Sequence, residues 1–139
     1  MTQSPIRVLF VCHGNICRST MAEFVLKDMV ARRGLTEQFH IESAATSTEE
    51  IGNPVYPPAR RKLARQLRRA DYDAFDFIIG MDTANIRNMN WILGGDPDGK
   101  VLKLLEFAGT NRSVDDPWYT GDFETTYADV CDGCEGLLA

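Results

Sequence analysis

Apolar residues recur along this chain in alternating blocks of strand-like and helix-like spacing. Ile6 to Val11 is apolar at every position except Arg7, as in a strand buried on both faces. The segment Cys12-His13-Gly14-Asn15-Ile16-Cys17-Arg18 follows at once, and Ser19 is placed to open a helix. Met21, Ala22, Val25, Leu26, Met29 and Val30 then return at helical spacing, and Gly34 ends the run as a C-cap. Phe39 to Ala44 reads as a second strand. A polar loop with Gly52, Asn53 and Pro54 leads to Pro57-Pro58, which suits the first turn of a helix running through the basic stretch Arg60 to Arg69. Phe75 to Met81 is a third strand, and Asp82 caps a helix through Asn85, Ile86, Met89 and Ile92 that Gly94-Gly95 stops. Val101 to Leu105 is a fourth strand. The last helix is predicted from about Phe123 to Leu138, with Tyr127, Val130, Cys131, Cys134 and Leu137 facing inward.

Strand and helix thus alternate, which predicts an α/β fold: a four-stranded parallel sheet with helices on both faces and right-handed crossovers. Ligand sites in such sheets lie at the carboxyl ends of the strands, and Cys12 ends the first one. The 139 residues suffice for a single domain, 1–139, with no repeat or linker.

Composition narrows the function more than the fold. With 44% apolar and 25% charged residues, the chain has an ordinary soluble composition. A formal net charge of −5 argues against nucleic acid as a partner. No stretch nears the roughly 20 apolar residues needed to span a membrane. Val8 to Val11 is too short for a signal-peptide core, so the expected address is cytoplasmic. The cysteines fall in two close pairs, Cys12 with Cys17 and Cys131 with Cys134. A domain of this size does not need disulfide staples. Cys131 and Cys134 lie three apart on a helix and read as core. A single zinc site built from all four has poor spacing, and no metal is expected.

The Cys12 to Arg18 segment carries the chemistry. Five residues between cysteine and arginine let successive backbone N–H groups turn inward as an anion-binding nest. The helix that follows adds its positive end. Arg18 can return over the loop and hold two phosphate oxygens with its planar fork. Gly14 and Asn15 readily enter the backbone conformations that such a loop needs. Donors on all sides favour Cys12 as thiolate, the nucleophilic form.

In these residues the chain resembles the low-molecular-weight protein tyrosine phosphatases. The motif reads Val11-Cys12-His13-Gly14-Asn15-Ile16-Cys17-Arg18-Ser19, then Met21-Ala22-Glu23. The likeness continues through Ser43-Ala44-Ala45-Thr46-Ser47, Ala64-Arg65-Gln66, Gly80-Met81-Asp82 and Asp116-Pro117-Trp118-Tyr119, in the expected order. The resemblance implies metal-free, cofactor-free hydrolysis of phosphotyrosine in proteins or peptides through a cysteinyl-phosphate. Cys12 is then the nucleophile. Arg18 and the amides of His13, Gly14, Asn15, Ile16 and Cys17 hold phosphate or another oxyanion. Asn15, Ser19 and Ser43 support the loop. Expelling a phenolate requires a general acid, since phenol ionises only near a pKa of about 10. Local sequence does not separate Asp115 from Asp116; the resemblance and the place before Pro117 assign Asp116. Trp118 and Tyr119 would wall the pocket against a flat aromatic group. Ile16 favours phosphotyrosine, because the branch of the family acting on phosphoarginine resembles a smaller threonine there. Cys17 lies close enough to Cys12 for a protective disulfide. Thr48-Glu49-Glu50 falls where the family's variable loop borders the pocket mouth.

The pattern also departs from the family. Near residues 62–64 the chain is short of a segment that ends, in the family, with a histidine supporting the loop, and His40 is not expected to replace it. Arg61, Arg65 and Arg69, four apart, would repel one another on a single helix face. Three other readings accompany the main one: a phosphoarginine phosphatase, an arsenate reductase lacking its relay cysteines in residues 60–110, and an inactive phosphoprotein-binding module.

Overall fold

The computed structural model describes residues 5–13, 18–47, 65–115 and 117–138, and only the backbone of Trp118 and Tyr119. β1 (Ile6–Cys12), β2 (Phe39–Ala45), β3 (Phe77–Gly80) and β4 (Val101–Lys103) form one sheet in the order β2-β1-β3-β4. Every pairing is parallel, with Cys12 opposite Ala45 and Val11 opposite Gly80. β1 is therefore central, and its apolar run is explained by burial on both sides.

The alternation along β1 sorts the core into two layers. Val8, Phe10 and Cys12 face α1 (Arg18–Arg32) and α5 (Phe123–Leu138), packing with Met21, Leu26, Val130 and Cys134. Leu9 and Val11 face the other way, toward Met89 and Leu93 of α3 (Thr83–Leu93) and Tyr72 of the short α2 (Asp71–Ala74). Phe10 and Leu9 are wholly buried, each stabilising by about 1.5–3 kcal/mol relative to exposure. α3 begins at Asp82, whose carboxylate accepts from Asn85 N–H at 2.7 Å, and ends at Gly94 in the left-handed conformation (φ 79°). A further short helix, α4 (Pro117–Thr120), precedes α5. Among the described residues no helix is long and apolar enough to cross a membrane.

Three expectations are corrected. The helix read through Arg65 to Arg69 is absent from its described part, where Gln66 instead bridges Ala45 in parallel. Ala45 N–H donates to Arg65 O (2.7 Å) and Leu67 N–H to Ala45 O (2.6 Å). Ala45 at the end of β2 turns its N–H and C=O toward this segment, and satisfying them outweighs local helix propensity. Arg65 consequently faces acids rather than arginines: its guanidinium reaches Asp71 at 3.2 and 3.3 Å and Glu42 at 3.5 Å. The earlier part of that stretch, with Arg60, Arg61, Lys62 and the shortening near 62–64, lies outside the described residues, as does Thr48-Glu49-Glu50.

Second, β4 stops at Lys103, and Leu104–Ala108 winds into a 3₁₀ turn whose two leucines remain in the core. β3 is likewise shorter than its apolar run, because Phe75 and Met81 are buried from outside the strand. Third, Tyr127 points out from α5, 47% exposed, and the inward row is Thr126, Asp129, Val130, Gly133 and Cys134. Polar residues on that row replace the tyrosine because the neighbouring loop supplies them with hydrogen-bond partners.

Candidate active site

Cys12 closes β1 at the carboxyl edge of the sheet, 3% exposed, and its Sγ lies 3.0 Å from Ser19 Oγ. Either group can donate in that pair; once the sulfur is a thiolate, the hydroxyl must be the donor. Beyond the strands the ladder continues, with Thr46 N–H donating to Cys12 O (3.0 Å) and Ser47 N–H to His13 O (2.9 Å). The backbone on which His13 leaves the sheet is thereby fixed. Gly14, Asn15, Ile16 and Cys17 lie outside the described residues.

Arg18 opens α1 with a buried side chain. Its Nη1 donates to Asp82 Oδ2 at 2.7 Å and to the Val114 carbonyl at 2.9 Å. Asp82 divides its two oxygens between two tasks, Oδ1 capping α3 and Oδ2 pairing with Arg18. Asn85, almost wholly buried, returns its Oδ1 to the N–H groups of Met81 (3.0 Å) and Asp82 (3.2 Å). The turn after β3 is thus rigid, and it aims a carboxylate at the arginine. Sequence reasoning read Asp82 only as a cap; the family resemblance at Gly80-Met81-Asp82 was the signal that it does more.

Ser43, on β2, is fully buried and donates from Oγ to Glu23 Oε1 at 2.5 Å. Glu23 Oε2 accepts from Lys27 Nζ at 2.6 Å. Ser19, Glu23 and Lys27 follow four apart along α1, so one helix row joins the thiol's neighbour to the end of β2. Glu23 went unassigned at the sequence level. An acid among the apolar positions of α1 was the available clue, since a buried carboxylate demands partners. His40 is exposed and pairs with Glu42.

After the 3₁₀ turn the chain returns to the sheet: Val114 N–H donates to Met81 O at 2.8 Å, beside the Arg18 contact. Asp115 is exposed, and its carbonyl accepts from Thr126 Oγ1 of α5 at 2.9 Å. Asp116 lies outside the described residues, as do the side chains of Trp118 and Tyr119, whose backbones belong to α4. The cysteines of α5 stand apart from this edge. Cys134 is fully buried, and desolvation pushes its thiol well up, away from the thiolate that redox or metal chemistry uses. Burial raises Cys131 in the same direction.

What these side chains share is one edge of a parallel sheet: a thiol at the head of a helix, a hydroxyl against it, and an arginine anchored by a carboxylate. Such a grouping suits nucleophilic attack on a bound oxyanion. Residues 7–139 match the family described as low molecular weight phosphotyrosine protein phosphatase. The low molecular weight protein-tyrosine-phosphatase YfkJ of Bacillus subtilis is 40% identical over 147 residues, covering 96% of this chain and 94% of that protein. The human low molecular weight phosphotyrosine protein phosphatase is 35% identical over 153 residues, covering 98% and 96%. The crystal structure of YfkJ superposes with a TM-score of 0.91 at 37% identity, covering 99% of this chain and 95% of that one. Agreement of motif, sheet order and whole-chain similarity leads to one conclusion: the chain belongs to the low molecular weight phosphotyrosine protein phosphatase family.

Proposed function

We propose that this chain hydrolyses phosphotyrosine in proteins in two steps through a Cys12 thiophosphate. In the first step the Cys12 thiolate attacks phosphorus, the bond from phosphorus to the tyrosyl oxygen breaks, and Asp116 gives its proton to the departing phenolate. In the second, Asp116 as carboxylate takes a proton from water. The water oxygen bonds to phosphorus, the S–P bond breaks, and inorganic phosphate leaves. Arg18 and the amides of residues 13 to 17 hold the equatorial oxygens, where charge is spread in the transition state. Ser19 keeps a proton directed at the sulfur, and Ser43 steadies the end of β2 that borders the loop.

The observation that carries this reading is the Cys12 Sγ to Ser19 Oγ contact of 3.0 Å at the start of a 15-residue helix. A sulfur beside a hydroxyl and the start of a helix is placed as a nucleophile for a bound oxyanion is. Ile16 and the Trp118-Tyr119 pair support an aryl rather than a guanidino phosphate. A thiolate nucleophile works only while reduced, which supports a cytoplasmic setting. The shortened crossover near residues 62–64 is part of this proposal: the domain functions without the family's histidine, its loop supported through Ser19, Ser43 and Glu23.

The test is hydrolysis of an aryl phosphate with EDTA and a thiol reductant present, for wild type and Cys12→Ser. Activity in the first and none in the second is expected. A folded, reduced wild type without activity would turn the reading toward a phosphoprotein binder. Faster release of phosphate from phosphoarginine than from phosphotyrosine would overturn the substrate assignment.

A further inference from the structure

Residues 109–115, which leave the 3₁₀ turn, have no regular structure, yet α5 grips them at two places. Thr126 is wholly buried, and its Oγ1 donates to the Asp115 carbonyl at 2.9 Å; the alternative acceptor, Asp122 O, is farther at 3.3 Å. One turn along, the buried Asp129 carboxylate takes both forks of Arg112, Nη1 at 2.9 Å and Nη2 at 2.8 Å. Thr126 and Asp129 are three apart and so present one helix face to the loop. On the sheet side, Val114 is bonded to Met81 O and to Arg18. Residues 112 to 115 are therefore held from both sides.

We infer that Thr126 and the Arg112–Asp129 pair are positioning residues for the general acid, fixing from α5 the backbone that delivers Asp116. This rests on the assignment of Asp116 in the proposed mechanism. The acid has to reach the leaving oxygen at hydrogen-bond distance, and a displacement of about 1 Å costs catalysis heavily. Thr126 acts on the carbonyl of the residue next to the acid, and the bidentate pair prevents the approaching chain from sliding along α5. A purely structural tether would lower stability and would not distinguish one leaving group from another.

The experiment compares kcat/KM of wild type, Thr126→Val, Thr126→Ser, Asp129→Asn and Asp116→Asn on aryl phosphates running from 2,4-dinitrophenyl to phenyl. Dinitrophenolate departs without a proton, whereas phenolate needs one. Thr126→Val and Asp129→Asn are expected to lose about tenfold on phenyl phosphate and less than about twofold on the dinitrophenyl ester. Thr126→Ser, which keeps the hydroxyl, should restore the wild-type slope. Equal losses on all esters, or none, in Thr126→Val overturn the inference while a steep slope in Asp116→Asn leaves the acid in place. A flat response in Asp116→Asn removes the acid assignment, and the inference with it. Should Asp129→Asn fail to fold, the near-isosteric Thr126→Val decides alone.

Discussion

Arg18 Nη1 and Asp82 Oδ2 meet at 2.7 Å across a separation of 64 positions, joining the head of α1 to the head of α3. The arginine side chain is 5% exposed and the aspartate 27%. The pair is shielded enough that neither partner is replaceable without consequence, and the carboxylate serves α3 as well.

The two duties of Asp82 separate by substitution. Asparagine still caps a helix but carries no charge; alanine does neither. Asp82→Asn should keep its Tm close to wild type while kcat/KM on an aryl phosphate falls about tenfold, from poorer alignment of Arg18. Asp82→Ala should lose activity and also about 1–3 kcal/mol of stability, from cap and charge partner together. Wild-type kcat/KM in Asp82→Asn would mean that the charge of Asp82 is not needed to orient the guanidinium.

Ser43 and Glu23 are unequal partners. Glu23→Ala removes the acceptor of a fully buried hydroxyl, at a cost of about 1–3 kcal/mol in urea unfolding. Ser43→Ala should cost less, because Glu23 keeps Lys27. The double variant is expected to fall short of the sum of the two, and strict additivity would show that the 2.5 Å contact contributes nothing.

α5 lies against the 3₁₀ turn through Gly133 and Gly136. A Cβ at Gly136 would land on the Phe107 carbonyl oxygen, and one at Gly133 on the Leu104 side chain. Alanine gains about 0.8–1.0 kcal/mol over glycine in helix propensity. Overpacking against backbone, which cannot swing aside, costs about 1–3 kcal/mol or more. Gly136→Ala should therefore lower Tm despite its better propensity, and Gly133→Ala should do so less, since Leu104 can shift. A raised Tm for Gly136→Ala would contradict the close approach.

Asp122 caps α5, accepting from Thr125 Oγ1 at 2.6 Å and Thr125 N–H at 3.0 Å. These bonds, the hydroxyl's first, hold its carboxyl below the ordinary value of 3.8. The folded pKa is thus the lower one, so on acidification the unfolded chain binds the proton first. The stabilisation is complete above 3.8 and disappears as the pH falls through the folded value. Tm measured from pH 6 to pH 2 should fall less steeply for Asp122→Asn than for wild type. Parallel curves would show that the cap is indifferent to its charge.

How much of this was legible beforehand depends on the range of the interactions involved. β1, α1 and both ends of α5 follow from periodicity, which is local, and the sequence limits of α5 match the structure. The Arg65 to Arg69 stretch misled because its partner is Ala45, and nothing within the stretch announces an edge strand waiting to be paired. Tyr127 misled because apolarity placed it inward, whereas the face of α5 toward the loop is polar and satisfied by Arg112 and Asp115. Cys12, Arg18 and Ser19 were singled out from the motif, and Ser43 from the family resemblance. Glu23 and the pairing role of Asp82 were not, since each matters through a residue distant in sequence.

The anchoring of Arg18 has a bearing on how the protein comes into being. Its bonds to Asp82 and Val114 span 64 and 96 positions, so a growing chain exposes Cys12 and Arg18 long before those partners have been synthesised. Until those late partners dock, the arginine beside the nascent thiol lacks its contacts with Asp82 and Val114. Contacts of such long range close slowly compared with helices. Catalytic competence should therefore be the last property gained, trailing the recovery of helical signal when the unfolded protein is returned to native conditions.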